Sequence, residues 1–232
     1  MLLGDSIGAI CALILKRSKK ASISTVARSN YDAIRENGLQ VESHIFGHET
    51  LQFEDAYHSS SIDTPKRKFS YIFVTTKALT HITPSLSESI APYVTPGPTG
   101  TTIVLAQNGV GIEDQIRLRW PNNCIITCVV CYISFSFKCV SVSQTVSREF
   151  SPTKVWIGAS QIAPGRVRHH GSKRLAVGPF NISSIGPKSP TSPYELERLD
   201  AFAKMLVDGG AEVTVVPNHV LMQAKRWVKL AW

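Results

Sequence analysis

The chain has 232 residues, 43% of them apolar and 18% charged. That is enough apolar material for a large buried core, which excludes a peptide, a mini-scaffold and wholesale disorder. Its 25 lysines and arginines against 17 acidic residues leave a net charge of +8, which suits phosphate groups of any kind, from nucleic acid to a phosphorylated cofactor, without choosing among them.

In chain order, a short opening strand leads through Gly4-Asp5-Ser6-Ile7-Gly8 into a helix predicted over 8–18. The apolar run from Ile7 to Leu15 is too short to span a bilayer, and its basic cluster, Lys16 to Lys20, follows it instead of preceding it as a signal peptide requires. Strands are predicted over 22–27, 71–75, 102–106 and 124–130. Each is short, β-branched and apolar on both faces, the mark of parallel strands covered by helices on both sides. A helix is predicted over 112–119. Over 156–179, turns at Pro164-Gly165 and His170-Gly171-Ser172 separate Arg166-Val167-Arg168 from Leu175-Ala176-Val177-Gly178, which reads as antiparallel ribbon. Leu196, Leu199, Phe202, Ala203, Leu206 and Val207 give a helix over 194–208, stopped by Gly209-Gly210 and followed by a strand over 212–216. Pro217-Asn218 then starts a final helix whose apolar positions, Val220, Leu221, Ala224, Trp227, Val228 and Ala231, have no later sequence to cover them. The chain is therefore expected to stop inside a domain.

The residues beyond the strand ends carry the chemistry. In open α/β sheets a glycine-rich turn after the first strand holds a dinucleotide pyrophosphate. With Gly8 as the third glycine of G-x-G-x-x-G, the first two positions are Leu3 and Asp5; with Gly4 as the first, the loop is shortened. Gly4, Ser6, Ile7 and Gly8 are the cofactor-turn candidates. Twenty residues after Gly8, where an acidic residue would bind the ribose 2′-hydroxyl of NAD, stands Arg28, which reads either as a 2′-phosphate ligand or as a solvated loop arginine. Thr75-Thr76-Lys77 and Gln107-Asn108-Gly109 end the next two strands and converge on one crevice, although Asn108-Gly109 also reads as a plain turn.

Other features point to bland roles. His169-His170, among Arg166, Arg168, Lys173 and Arg174, reads as a solvated basic patch. Positive charges are scattered without interleaved aromatics, so no nucleic-acid partner is expected. Cys128-x-x-Cys131 has no second pair at ligand spacing, so no metal is expected. Five cysteines, an odd number without a secreted disulfide framework, favour a reducing, cytoplasmic setting.

The set Val26-Ala-Arg-Ser-Asn-Tyr-Asp32, Thr76-Lys-Ala78, Leu105-Ala-Gln-Asn-Gly-Val-Gly111, Val155-Trp-Ile-Gly-Ala-Ser160, His170-Gly-Ser172 and Lys225-Arg-Trp-Val-Lys-Leu230 resembles the ketopantoate reductases (2-dehydropantoate 2-reductases) of fungal type. The resemblance implies an α/β fold: a Rossmann-like NADP-binding domain over 1–216 with an antiparallel extension, then over 217–232 the first helix of a truncated all-helical C-terminal domain. It implies NADP(H) as cofactor, a small 2-oxo acid as substrate, and reduction of ketopantoate to pantoate on the route to pantothenate and coenzyme A. By the same resemblance Lys229 is the general acid, Asn108 orients lysine and substrate, Lys77 lies near cofactor and substrate, and Arg28 meets the 2′-phosphate. The stretch 131–154, rich in Ser, Cys and Phe, interrupts the pattern and is expected to be a translated intron. With Lys229 so near the final residue, Trp232, little turnover is expected of the chain as it stands.

Overall fold

A computed structural model of the chain describes residues 1–4, 6–59, 65, 67–78, 83–109, 111–142, 145–180, 192–217 and 221. Its elements are β1 (Leu2–Leu3), α1 (Ser6–Arg17), β2 (Thr25–Ala27), α2 (Tyr31–Asn37), β3 (Leu39–Ser43), β4 (Gly47–Leu51), β5 (Ala56–His58), β6 (Tyr71–Val74), α3 (Leu86–Ile90), β7 (Thr102–Leu105), α4 (Ile112–Arg119), β8 (Ile125–Val129), β9 (Cys131–Val142), β10 (Thr145–Trp156), β11 (Ala159–Ala163), β12 (Arg166–His169), β13 (Arg174–Pro179), α5 (Pro193–Asp208) and β14 (Glu212–Val215). A single 3-10 turn, Ala91–Tyr93, follows α3.

The main sheet runs β14-β13-β8-β7-β6-β1-β2-β5. The strands from β8 to β5 are all parallel, and their order is that of a doubly wound Rossmann sheet. β13 joins antiparallel to β8, and β14 runs parallel to β13. Side chains alternate between two cores. Phe73, Val104 and Ile126 point toward α1 and α5, whereas Ile72, Val74, Ile103, Leu105 and Ile125 face Ile90 of α3 and Ile116 of α4. Burial on both faces is why these strands are apolar throughout.

A second sheet, β11-β12-β3-β4, covers the outer side of α1. Two antiparallel hairpins meet in it through the parallel pair β3 and β12, with Val41 opposite Val167. Leu39, Val41, Leu51 and Val167 pack into the same core as α1, so the helix is enclosed between two sheets and every residue from Gly8 to Leu15 is buried. A helix covered all round is apolar all round, which accounts for the run from Ile7 to Leu15.

Three expectations are corrected. The first helix starts at Ser6, two residues earlier than predicted, and the strand predicted over 22–27 is regular only from Thr25. The ribbon predicted over 156–179 is half right: β11 and β12 form a hairpin, but β12 and β13 do not pair, because the turn at 170–172 carries the chain from one sheet into the other. Strands β3, β4 and β5 were not anticipated. β5 is the edge strand of the main sheet, and in β3 and β4 polar residues such as Gln40, Glu42, His48 and Glu49 mark an outer sheet with one face in solvent.

The interrupting stretch forms a two-stranded ribbon of β9 and β10 that pairs only with itself. Its feet meet: Ile157 N–H donates to Val130 C=O at 2.9 Å, so the main fold leaves and re-enters the excursion at neighbouring points. Such a geometry lets a long insertion leave the rest of the fold in place.

Candidate functional site

The chain runs from β1 outward through β2 to β5, then returns to β6 on the other side of β1, so the strand order reverses between β1 and β6. Ligands of open α/β sheets bind beyond the carboxyl ends of the strands at this point. Gly4 follows β1, Arg28 follows β2, Thr75-Thr76-Lys77 follow β6, and Gln107-Asn108 follow β7. The fold thus brings Gly4, Ser6, Ile7, Gly8, Arg28, Lys77 and Asn108 to one edge. Lys229 lies outside the described residues.

Thr75 fixes the register of the glycine turn. A Cβ on Gly4 would lie 1.8 Å from Thr75 Oγ1, and one on Gly8 would lie 2.5 Å from the same oxygen. Gly4 and Gly8, with three residues between them, are therefore both places where the turn and the start of α1 approach the end of β6 too closely for a side chain. Gly8→Ala is expected to destabilise the fold by about 1–3 kcal/mol through overpacking. In a Thr75→Ala background the offending oxygen is gone, and most of that cost should vanish. Additive losses in a denaturant double-mutant cycle would contradict this packing.

At the neighbouring strand ends, Ala106 N–H donates to Val74 C=O at 2.9 Å, and the buried Gln107 donates through Nε2 to Thr76 Oγ1 at 3.0 Å. These bonds tie the ends of β6 and β7 together beneath Lys77 and Asn108, which are both exposed. Gly109 adopts φ +115°, so the chain does turn at Asn108-Gly109 while Asn108 stands at the crevice edge. Arg28 is exposed in the bend after β2, and its carbonyl accepts from Tyr31 N–H at 3.2 Å. Glu113, fully buried in the first turn of α4, accepts from Thr127 Oγ1 at 3.1 Å and joins that helix to β8.

Residues 4–181 match the family model described as ketopantoate reductase PanE/ApbA. The chain belongs to the ketopantoate reductase family. It is similar to an uncharacterized protein of Saccharomyces cerevisiae, YDL144C, at 26% identity over 97% of this chain and 58% of that protein. Among solved structures it resembles the 2-dehydropantoate 2-reductase of Methylococcus capsulatus (TM-score 0.69, 21% identity, 100% of this chain and 60% of that one). The enzyme of the same name from Geobacter metallireducens is similar (TM-score 0.67, 22% identity, 100% and 62%). A D-mandelate dehydrogenase solved with NADH and anilino(oxo)acetate shares the fold (TM-score 0.61, 16% identity, 93% and 57%). The chain thus spans about 60% of the length of these relatives.

An open cavity of about 400 Å³ lies elsewhere, at the end of the second sheet, lined by Glu42, Ser43, His44, His48, Arg168, His169 and His170. It contains none of the family's candidate residues, and the switch point remains the better place for a dinucleotide. Among the described residues, no group of three His, Cys, Asp or Glu is placed to hold a metal ion, and no helix is long and apolar enough to cross a membrane.

His169 corrects the sequence reading of a solvated patch, since only 2% of it is exposed. Ser43 Oγ accepts from Ile45 N–H at 3.1 Å and Phe46 N–H at 3.0 Å, so its own proton goes to His169 Nδ1 at 2.8 Å. His169 Nε2 then carries the ring proton and donates to Ser172 C=O at 3.2 Å. Burial holds this imidazole below the ordinary histidine value, with His44 and His170 adding a smaller push in the same direction. The unfolded chain therefore binds more protons than the folded one below about pH 6.5. Stability from this group is complete above that pH and is lost as pH falls toward the depressed folded value. His169→Gln, which keeps a donor and an acceptor, should flatten the acid side of a plot of Tm against pH; an unchanged slope would place the acid sensitivity elsewhere.

Signals for Thr75 and Gln107 were present in the sequence only as strand-end positions. Their roles come from what the fold sets against them.

Proposed function

We propose that the chain carries the dinucleotide site of a 2-oxo acid reductase that reduces ketopantoate to pantoate with NADPH. The supporting observation is the convergence of Gly4, Gly8, Arg28, Lys77 and Asn108 on one edge at the switch point of a doubly wound sheet, in a member of this family. The residues fit such a cofactor. Asp5 directly precedes α1 in the sequence, but the first turn of α1 itself carries no acidic side chain, Gly4 and Gly8 leave no room for a Cβ, and two exposed cations stand at the edge. When bound, NADPH supplies the hydride.

In this reading the turn from Gly4 through Ser6 and Ile7 to Gly8 holds the pyrophosphate and Arg28 holds the 2′-phosphate. Lys77 and Asn108 orient the groups in the crevice. The Lys229 ammonium polarises the substrate carbonyl, gives its proton to the carbonyl oxygen as hydride reaches the carbon, and is left as the free amine. A reductase of this kind acts in the cytoplasm and needs no nucleic acid or membrane. The fold shared with D-mandelate dehydrogenase supports a second reading, a reductase for another 2-oxo acid, and a non-catalytic nucleotide-binding remnant is the third.

The test is NADPH binding by the 232-residue chain and NADPH oxidation, against a panel of 2-oxo acids, by a version extended to the full length of the matched reductases. Ketopantoate is expected to give the highest kcat/KM. A different acid in first place would select the second reading, and NADPH binding without turnover of any acid would select the remnant.

A further inference from the structure

The loop that carries Arg28 is tied to a hairpin more than a hundred residues away. Asn30 stands at the N-cap position of α2, where an asparagine usually bonds a helix amide, yet it makes no such bond. Instead its amide pairs reciprocally with Gln161 on β11. Asn30 Nδ2 donates to Gln161 Oε1 at 2.9 Å, and Gln161 Nε2 donates to Asn30 Oδ1 at 3.0 Å. Gly165 N–H donates to the same Oδ1 at 3.3 Å. The turn between β11 and β12 is itself seated on α2: Gly165 has φ +68°, a Cβ there would lie 3.1 Å from Ala33 Cβ, and its carbonyl accepts from Gln40 N–H at 2.8 Å.

Only Arg28 and Ser29 separate Asn30 from the last residue of β2, Ala27, whose carbonyl accepts from Ser59 N–H at 2.9 Å. The loop is therefore held at one end by the main sheet and at the other by the hairpin, and the backbone position of Arg28 follows from both. We infer that Gln161 and Asn30 are positioning residues for dinucleotide choice: their amide pair holds the 28–30 loop so that Arg28 meets a 2′-phosphate. This rests on the reading of Arg28 as the 2′-phosphate ligand. Gln161 is exposed and Asn30 half-buried, so breaking the pair leaves groups that water can satisfy.

The experiment is calorimetric titration of the 232-residue chain with NADPH and with NADH, for the unaltered protein, Gln161→Ala, Asn30→Ala, Arg28→Ala and the double variant Arg28→Ala/Gln161→Ala. Gln161→Ala is expected to weaken NADPH about 3- to 10-fold, the effect of one or two lost hydrogen bonds, and to leave NADH within about twofold. Asn30→Ala removes the same pair from the other side and should give the same selective loss. In the Arg28→Ala background, Gln161→Ala should add nothing. Equal weakening of both dinucleotides, an unchanged NADPH affinity, or a Gln161 effect that persists without Arg28 would overturn the inference while leaving the Arg28 reading intact. An NADPH:NADH ratio indifferent to Arg28→Ala would overturn both.

Discussion

In a version extended to the full length of the matched reductases, replacing Lys229 by alanine is expected to lower ketopantoate-dependent NADPH oxidation about 10²- to 10⁴-fold, the range for loss of a positioned general acid. The ammonium does two things at one atom: it draws electron density onto the carbonyl oxygen and then neutralises the oxyanion with its proton. NADPH affinity should change little, because the proposed role begins only when the carbonyl is present. Lys229→Arg separates the two tasks. It keeps the positive charge, but a guanidinium does not give up its proton near neutral pH, so this variant should recover polarisation without proton transfer and remain well below the unaltered protein. The measurement is kcat/KM for ketopantoate across pH. Activity indifferent to either substitution would show that the lysine is matched to the wrong role.

NADPH is expected to bind about 10- to 150-fold more tightly than NADH, equivalent to about 1.5–3 kcal/mol from a charge-assisted hydrogen bond to Arg28. Arg28 is exposed, so the preference should shrink as salt is raised. Arg28→Ala should bring the two affinities close together. Arg28→Asp should invert them, since a carboxylate repels the 2′-phosphate and accepts from a ribose 2′-hydroxyl. Direct calorimetric titration with both dinucleotides reads the ratio without requiring turnover. Equal affinities for the unaltered protein would return Arg28 to a solvated loop residue.

Local pattern was a good guide where one requirement ruled an element. The helix predicted over 112–119 matches Ile112–Arg119, and the one predicted over 194–208 begins one residue later than the observed α5, whose cap is a Ser192 and Glu195 pair with Pro193 inside it. The central strands were predicted one residue too long, at one end for β6 and β7 and at both ends for β8, as happens when a residue beyond the last ladder bond is still buried. The outer sheet was invisible because its strands answer to partners far away in sequence. Nothing in Leu39-Gln40-Val41-Glu42-Ser43 announces that Val41 faces Val167, or that Glu42 receives both Arg166 and Arg168.

The sequence by itself determined the α/β class, the central parallel strands and the family, because two-sided burial and short strand-end motifs are written in contiguous residues. It also named the residues proposed to meet the cofactor, since each lies within a few residues after the end of a strand. Tertiary structure alone showed that neither Gly4 nor Gly8 has room for a side chain, because what fills that room is Thr75, approaching from another strand. It alone decided that His169 is buried, since the groups that close over it, Ser43 above all, arrive from a different hairpin. The same holds for Asn30, whose amide is taken by Gln161 across the fold. Contacts between residues distant in the chain leave no periodicity to read, and only the packed fold brings them into one place.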